Sequence, residues 1–248
     1  MRSCPGTSKP ERLQLIAYVL SILKPDGTPL VSTTVGTSGG DLDTEPLPET
    51  GTYIVVVDPG ESSFKPEATT ASLALTLTEP VTGTITVDGS PAPVILNRPG
   101  QNARLTFEGA AGQRVSLGVS EVSFNTGGAV SGGKVAILRP DGTTLASGSI
   151  STGGNDIDTE PLPDTGTYTI VVNPPGVRTV SLSLTLSEPI AGTIAIGGPS
   201  VSVTLNRPGQ DARLTFNGTG GQRVKLGVND VSSRYNLRRS CFVHNKAG

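Results

Sequence analysis

The sequence predicts an all-β protein made of tandem antiparallel β-sandwich units of about 109 residues, with one complete and two partial copies. Three observations carry this. The chain repeats itself nearly identically, its apolar residues alternate with polar ones in short runs, and the runs are separated by Pro, Gly and Asp in turn-forming order.

The repeat fixes the organisation. Residues 79–123 align with 188–232 without a gap at an offset of 109 (Glu79 to Glu188), and LNRPGQNARLTF at 96–107 returns as LNRPGQDARLTF at 205–216. The other half of the unit repeats as well. LKPDGTPL at 23–30 matches LRPDGTTL at 138–145, and DLDTEPLPETGTYIVVV at 41–57 matches DIDTEPLPDTGTYTIVV at 156–172, both at an offset of 115. The offset is again 109 at Ser72 and Ser181, which places a six-residue insertion in 60–70, expected to be a surface loop. The chain therefore divides into a non-repeat extension at 1–18, the second half of a unit at 19–78, a complete unit at 79–187, the first half of a unit at 188–232 and a non-repeat tail at 233–248. Periodicity alone fits a second phase equally, with units at 19–123 and 134–232 joined by the Gly-rich 124–133.

In the complete unit, strands are predicted at 83–88, 93–97, 103–108, 114–119, 134–138, 144–149, 156–159, 168–173 and 180–187. Ala103, Leu105 and Phe107 point one way and Arg104 and Thr106 the other; Leu182, Leu184 and Leu186 alternate with Ser and Thr. Each such strand has one buried and one wet face, as in a sandwich of two antiparallel sheets. The segment 168–172 is apolar on both faces and belongs at the centre of a sheet. Arg98-Pro99-Gly100-Gln101 reads as a type II turn, since Pro sets the first central φ and Gly supplies a positive second one. Pro140-Asp141-Gly142-Thr143 reads as a hairpin turn.

Units of this size bury a core without disulfides, and Cys4 and Cys241 both lie outside the repeats. Charged residues make up 16% of the chain and net charge is −2, which gives no electrostatic reason to expect nucleic acid or an anionic membrane as partner. The apolar run at 13–23 is too short to span a membrane and lacks a small-residue cleavage site; its end aligns with 134–138 and is expected to be a strand. Residues 1–15 match nothing in the repeat and are expected to be disordered or helical. The tail SRYNLRRSCFVHNKAG leaves the repeat abruptly and turns basic, as a truncated or shifted reading frame would.

Catalytic chemistry finds little foothold. His244 is the sole histidine and sits in the tail, so the repeats hold no base for a nucleophile. Acids do cluster. Asp156, Asp158 and Glu160 recur as Asp41, Asp43 and Glu45, and alternate residues of a strand share a face. With Asp141 or Asp26 nearby, such carboxylates offer oxygen ligands for calcium; the plainer reading is a solvated strand face and an Asp that shapes its turn. No other cofactor is expected. Tyr53, Tyr168, Phe107 and Phe216 fall on the faces of Leu and Val, which makes them core rather than a sugar platform. Arg104, Arg213, Arg114 and Arg223 recur on strands, paired with acids or solvated.

The order ARLTF, GQRVSLGV, VAILRPDGTTL, DIDTEPLPDTGTYTIVV, VSLSLTL resembles the bacterial pre-peptidase C-terminal domain, and this version resembles the tandem modules of large secreted proteins with RHS/YD repeats. The resemblance covers about 19–232. It implies a jelly-roll-like sandwich, export of the parent protein, and a non-catalytic role beside other domains. The expected function is thus a structural or adhesive module that spaces or presents domains of a secreted or cell-surface bacterial protein. The other readings are a ligand-binding module for polysaccharide or peptide, calcium-assisted or not, and a gene fragment without a role of its own. Expected partners are extracellular polysaccharide or protein, and no membrane insertion is expected; the half units 19–78 and 188–232 are expected to complete one sandwich, within a chain or between two chains by strand swapping.

Overall fold

The computed structural model describes residues 17–59, 72–125 and 131–232. The expectations for residues 1–15, the 60–70 insertion, Cys4, Cys241, His244 and the tail fall outside these residues. The chain is all-β, with fourteen strands and no helix among the described residues, hence no helix long and apolar enough to cross a membrane.

The first half unit forms β1 (Tyr18–Leu23), β2 (Pro29–Val35) and β3 (Ile54–Pro59). The complete unit contributes β4 (Val81–Thr84), β5 (Ala92–Leu96), β6 (Ala103–Gly109), β7 (Ser116–Phe124), β8 (Ser131–Leu138), β9 (Thr144–Ser151), β10 (Asn155–Asp158), β11 (Gly166–Asn173) and β12 (Val180–Ser187). The last half unit forms β13 (Ile190–Thr193) and β14 (Ala212–Thr215). All nine strands expected of the complete unit are present, with shifted ends. β4 begins two residues earlier than expected, and β7 runs on to Phe124.

The complete unit is a β-sandwich of a four-stranded sheet, β10-β7-β12-β5, and a five-stranded sheet, β4-β6-β11-β8-β9. β11 lies in the middle of its sheet, as its two apolar faces require. The sheets are antiparallel with one exception: β4 pairs parallel with β6. The side chains at alternate positions close one core, with Leu105, Phe107, Leu117, Ile137, Ile170 and Leu184 among its members. That core runs from Ile85 to Leu186 and so draws residues from both sides of 124–133. Phe107 and Tyr168 stack at its centre with ring centroids 5.3 Å apart.

The turns behave as their residues dictate. Gly100 has φ of 71° and Gln101 N–H donates to the Arg98 carbonyl at 3.1 Å. The β8–β9 turn sits one residue earlier than expected, because Gly142 takes φ of 85° and its N–H donates to Arg139 at 2.9 Å. The LP-x-TGTY segment is closed by its own tyrosine. Tyr168 Oη donates to the Asp164 carbonyl at 2.8 Å, and Tyr53 Oη does the same to Glu49 at 2.8 Å. This is the tyrosine-corner arrangement of β-sandwiches.

The half units obey a simple rule. Pairings internal to a half recur in them: β1 pairs with β2 and β3 as β8 pairs with β9 and β11, and β13 pairs parallel with β14 as β4 pairs with β6. Pairings that join the two halves of the complete unit (β11 to β6, β12 to β5 and β7, β10 to β7) have no counterpart in them. Segments that depend only on the latter, at 40–43, 72–78, 201–205 and 225–232, are accordingly not strands. Period-two alternation supplies a face, but a strand also needs a neighbour for its N–H and C=O groups.

Candidate functional site

The features that distinguish this chain from an isolated sandwich are its two junctions, where a turn of one unit meets the preceding unit. Both are built from the segment 98–104 or its copy 207–213.

At the second junction the Arg207-Pro208-Gly209 turn docks on the outer face of the four-stranded sheet. Leu182, Leu184 and Leu186 of β12 face the core, so Thr185 and Ser187 face outward, yet both are buried. Ser116 beside them is buried too. Gly118 makes the approach feasible: a Cβ there would overlap the carbonyl oxygen of Pro208. Arg207 then fastens the turn. Its Nε donates to Ser187 Oγ at 2.8 Å, one terminal nitrogen donates to the Asp88 carbonyl at 3.2 Å, and the other donates to the carbonyls of Gly89 and Leu186. A fixed guanidinium fork suits several acceptors at once. Gln113 Nε2 donates to Glu188 Oε1 at 2.7 Å, and Glu188 N–H to Asp88 Oδ1 at 3.2 Å, tying down the connection between the units.

At the first junction the corresponding turn meets the acids of the first half unit. Asn102 Nδ2 donates to Asp43 Oδ1 at 3.0 Å, and Asn173 Nδ2 donates to Asp43 Oδ2 at 3.0 Å. Burial pushes the Asp43 carboxyl up from its usual range, while the Asn102 hydrogen bond and the Arg104 charge pull it down. Asp41 is pushed up by burial and by the charge of Asp43.

The equivalent of Asn102 at the second junction is Asp211, the one difference between LNRPGQNARLTF and LNRPGQDARLTF. Asp211 is pushed up by burial first and then by the neighbouring Asp158 and Asp156, against the pull of Arg213. Like charges nearby disfavour the ionised form of Asp211. The two junctions thus share a plan and differ in chemistry: amide on acid in one, acid on acid in the other.

The remaining acids take separate places. Asp141 and Asp26 each accept the N–H at 2.8 Å and the hydroxyl at 2.6 Å of the Thr two residues on, Thr143 and Thr28, and these bonds hold both carboxyls below the usual range. Asp156 and Asp158 share the outer face of β10, on either side of buried Ile157. Glu160 lies beyond the strand in an ion pair with Arg114 at 3.2 Å, and Glu45 is exposed. Among the described residues no three His, Cys, Asp or Glu side chains are arranged to hold a metal ion.

The acids Asp41, Asp43, Asp156 and Asp158 were legible as a repeated cluster, but their partners were not. Arg207, Asn102, Asn173 and Asp211 escape a search for chemical motifs; the signal is the single Asn-to-Asp change inside an otherwise identical twelve-residue stretch.

No family profile matches the sequence, and comparison with curated proteins finds no match. Among solved structures the chain is similar to PliG of Aeromonas hydrophila, a periplasmic inhibitor of g-type lysozyme, at 17% identity and a TM-score of 0.28, over 44% of this chain and 99% of that one. It is also similar to a structure of infectious bursal disease virus Gt strain at 12% identity and a TM-score of 0.19, over 73% and 53% of the two chains. Neither likeness is close enough to carry a functional argument.

Proposed function

We propose that the chain is a non-catalytic structural repeat that spaces or presents neighbouring domains of a secreted or cell-surface bacterial protein. The observation that supports this is the repeated junction: one turn, in two copies, docks each unit on the one before it through direct hydrogen bonds, so that the units form a connected row rather than beads on a string. The resemblance to pre-peptidase C-terminal modules of large exported proteins points the same way and supplies the bacterial and extracellular setting. A row of this kind needs stiff joints more than a reactive centre, and the repeats offer no histidine for one.

The test is small-angle scattering of the whole chain, compared with Arg207→Ala. A stiff row gives one extended particle whose dimensions spread when the clamp is removed. Identical scattering curves, or a turnover abolished by one Ser or Asp substitution, would overturn the reading.

A second reading, a module binding polysaccharide or peptide, is favoured by one feature. An open cleft of about 370 Å³ lies between β4 and β5, where the sandwich edge parts, lined by Thr82, Thr84, Ser90, Pro91 and Pro93. A glycan and matrix-protein binding screen separates the two, since a spacer binds nothing there.

A further inference from the structure

The two half units expose what the complete unit buries. Leu184 and Leu186 are 0% exposed, while their copies Leu75 and Leu77 are 60% and 81% exposed; Leu117 and Val119 are 0% and 3% exposed, while their copies Leu226 and Val228 are 76% and 77% exposed. Seventeen of the nineteen large hydrophobics exposed among the described residues lie on the half units, the others being Ile95 and Val177. Faces of this extent on a folded protein mark an interaction surface.

The two faces are complementary in a defined way. In the complete unit Leu184 sits opposite Val119 and Leu186 opposite Leu117. Residues 17–59 with 72–78 carry the copies of one side of these pairs and 188–232 the copies of the other, and the pairings that the half units lack are those that would join them. Among the described residues no strand pairing joins them within one chain, contrary to the intrachain closure the sequence also allowed. The first half unit touches the complete unit where β6 begins and β11 ends, at Asn102 and Asn173. The last touches it by Leu186, Ser187 and Asp88, at the other end of the strands. β12 alone has eight residues, about 25 Å of strand at ~3.3 Å each.

We propose that residues 188–232 of one chain and 17–59 with 72–78 of a second copy close into one sandwich, so that copies of this chain associate head to tail. The composite unit would use both junctions as they stand. Its 188–232 portion is clamped to its own complete unit by Arg207, and its portion from the second copy to the next complete unit by Asp43. Such an interface is heterologous, so it joins copies head to tail in a row that stays open or closes into a ring according to the rotation at each joint. The inference rests on the reading of the chain as a structural repeat and names a second copy as its partner.

Sedimentation of the whole chain over a wide concentration range tests it. The weight-average mass is expected to climb with concentration in steps of one chain. Leu75→Asp spoils one face and Leu226→Asp the other, so each variant alone should stay a monomer. Their equimolar mixture should give a dimer and nothing larger, a doubling of mass, because one good face remains on each. A wild-type chain that is monomeric at every concentration, or variants that fail to complement, would overturn the proposal. If the Arg207→Ala chain still scatters differently from wild type in that case, the structural-repeat reading survives it.

Discussion

The Asn102/Asp211 difference allows one junction to serve as the control for the other. Asp211→Asn places at the second junction the amide that already bridges to Asp43 at 3.0 Å in the first. The gain is one hydrogen bond to a charged group, about 1.5–3 kcal/mol, discounted to about 1 kcal/mol for a partly solvated site. At about 1.4 kcal/mol per tenfold, the junction should open roughly fivefold less often. The advantage depends on pH. Asp211 is raised in the folded state above its ordinary 3.8, so its protonated form is the one the junction favours. Its contribution is fully present below 3.8 and is lost as pH rises through the raised value. The groups facing it are Asp158, Asp156 and Arg213. Hydrogen exchange of the peptides covering 186–190 and 207–213, corrected for intrinsic rates, is the assay. The variant should be better protected at neutral pH, with the difference shrinking as pH falls. A pH-independent difference, or lower protection in the variant, would refute the reasoning. Asn102→Asp should do the converse at the first junction.

Other outcomes follow from the same contacts. Arg207→Ala removes the clamp and leaves its carbonyl acceptors to water, costing about 2 kcal/mol; faster thermolysin cleavage between 186 and 207, with the complete unit intact, is the expected readout. Tyr168→Phe removes the hydroxyl that donates to Asp164 at 2.8 Å, costing about 1 kcal/mol and roughly 3–6 °C in Tm, measured by calorimetry. Leu184→Ala should cost about 2–5 kcal/mol in denaturant unfolding. Leu75→Ala, at the copy of the same position, should cost about 0.5 kcal/mol or less in dilute monomer and approach the Leu184 figure once copies associate.

Local features were legible in the sequence. The alternation of Ala103, Leu105 and Phe107, the Pro-Gly turn at 99–100, and the placement of 168–172 at a sheet centre all follow from side-chain period and backbone preference. What sequence could not supply is decided by partners distant in the chain. GQRVSLGV and GQRVKLGV differ at one residue, yet Leu117 lies in a strand at 0% exposure and Leu226 in none at 76%. The difference comes from β10 and β12, which flank the first and have no counterpart beside the second. The parallel pairing of β4 is hidden for the same reason. The carboxylates were visible as a repeated set, but the groups that meet them, Asn102 and Arg104 at one junction and Asp211 and Arg213 at the other, come from the next unit, and spacing within one unit says nothing of the next.

The routing of the chain through the complete unit has a mechanical consequence. The chain enters at Val81, beside Ala103, and leaves at Ser187, opposite Ser116 at the far end of the strands. Tension along a row of units therefore pulls β4 and β12 lengthwise, in opposite directions, against their neighbours. The ladder hydrogen bonds lie across the strands, so they are loaded in shear and must yield together, where a hairpin pulled from one side would unzip bond by bond.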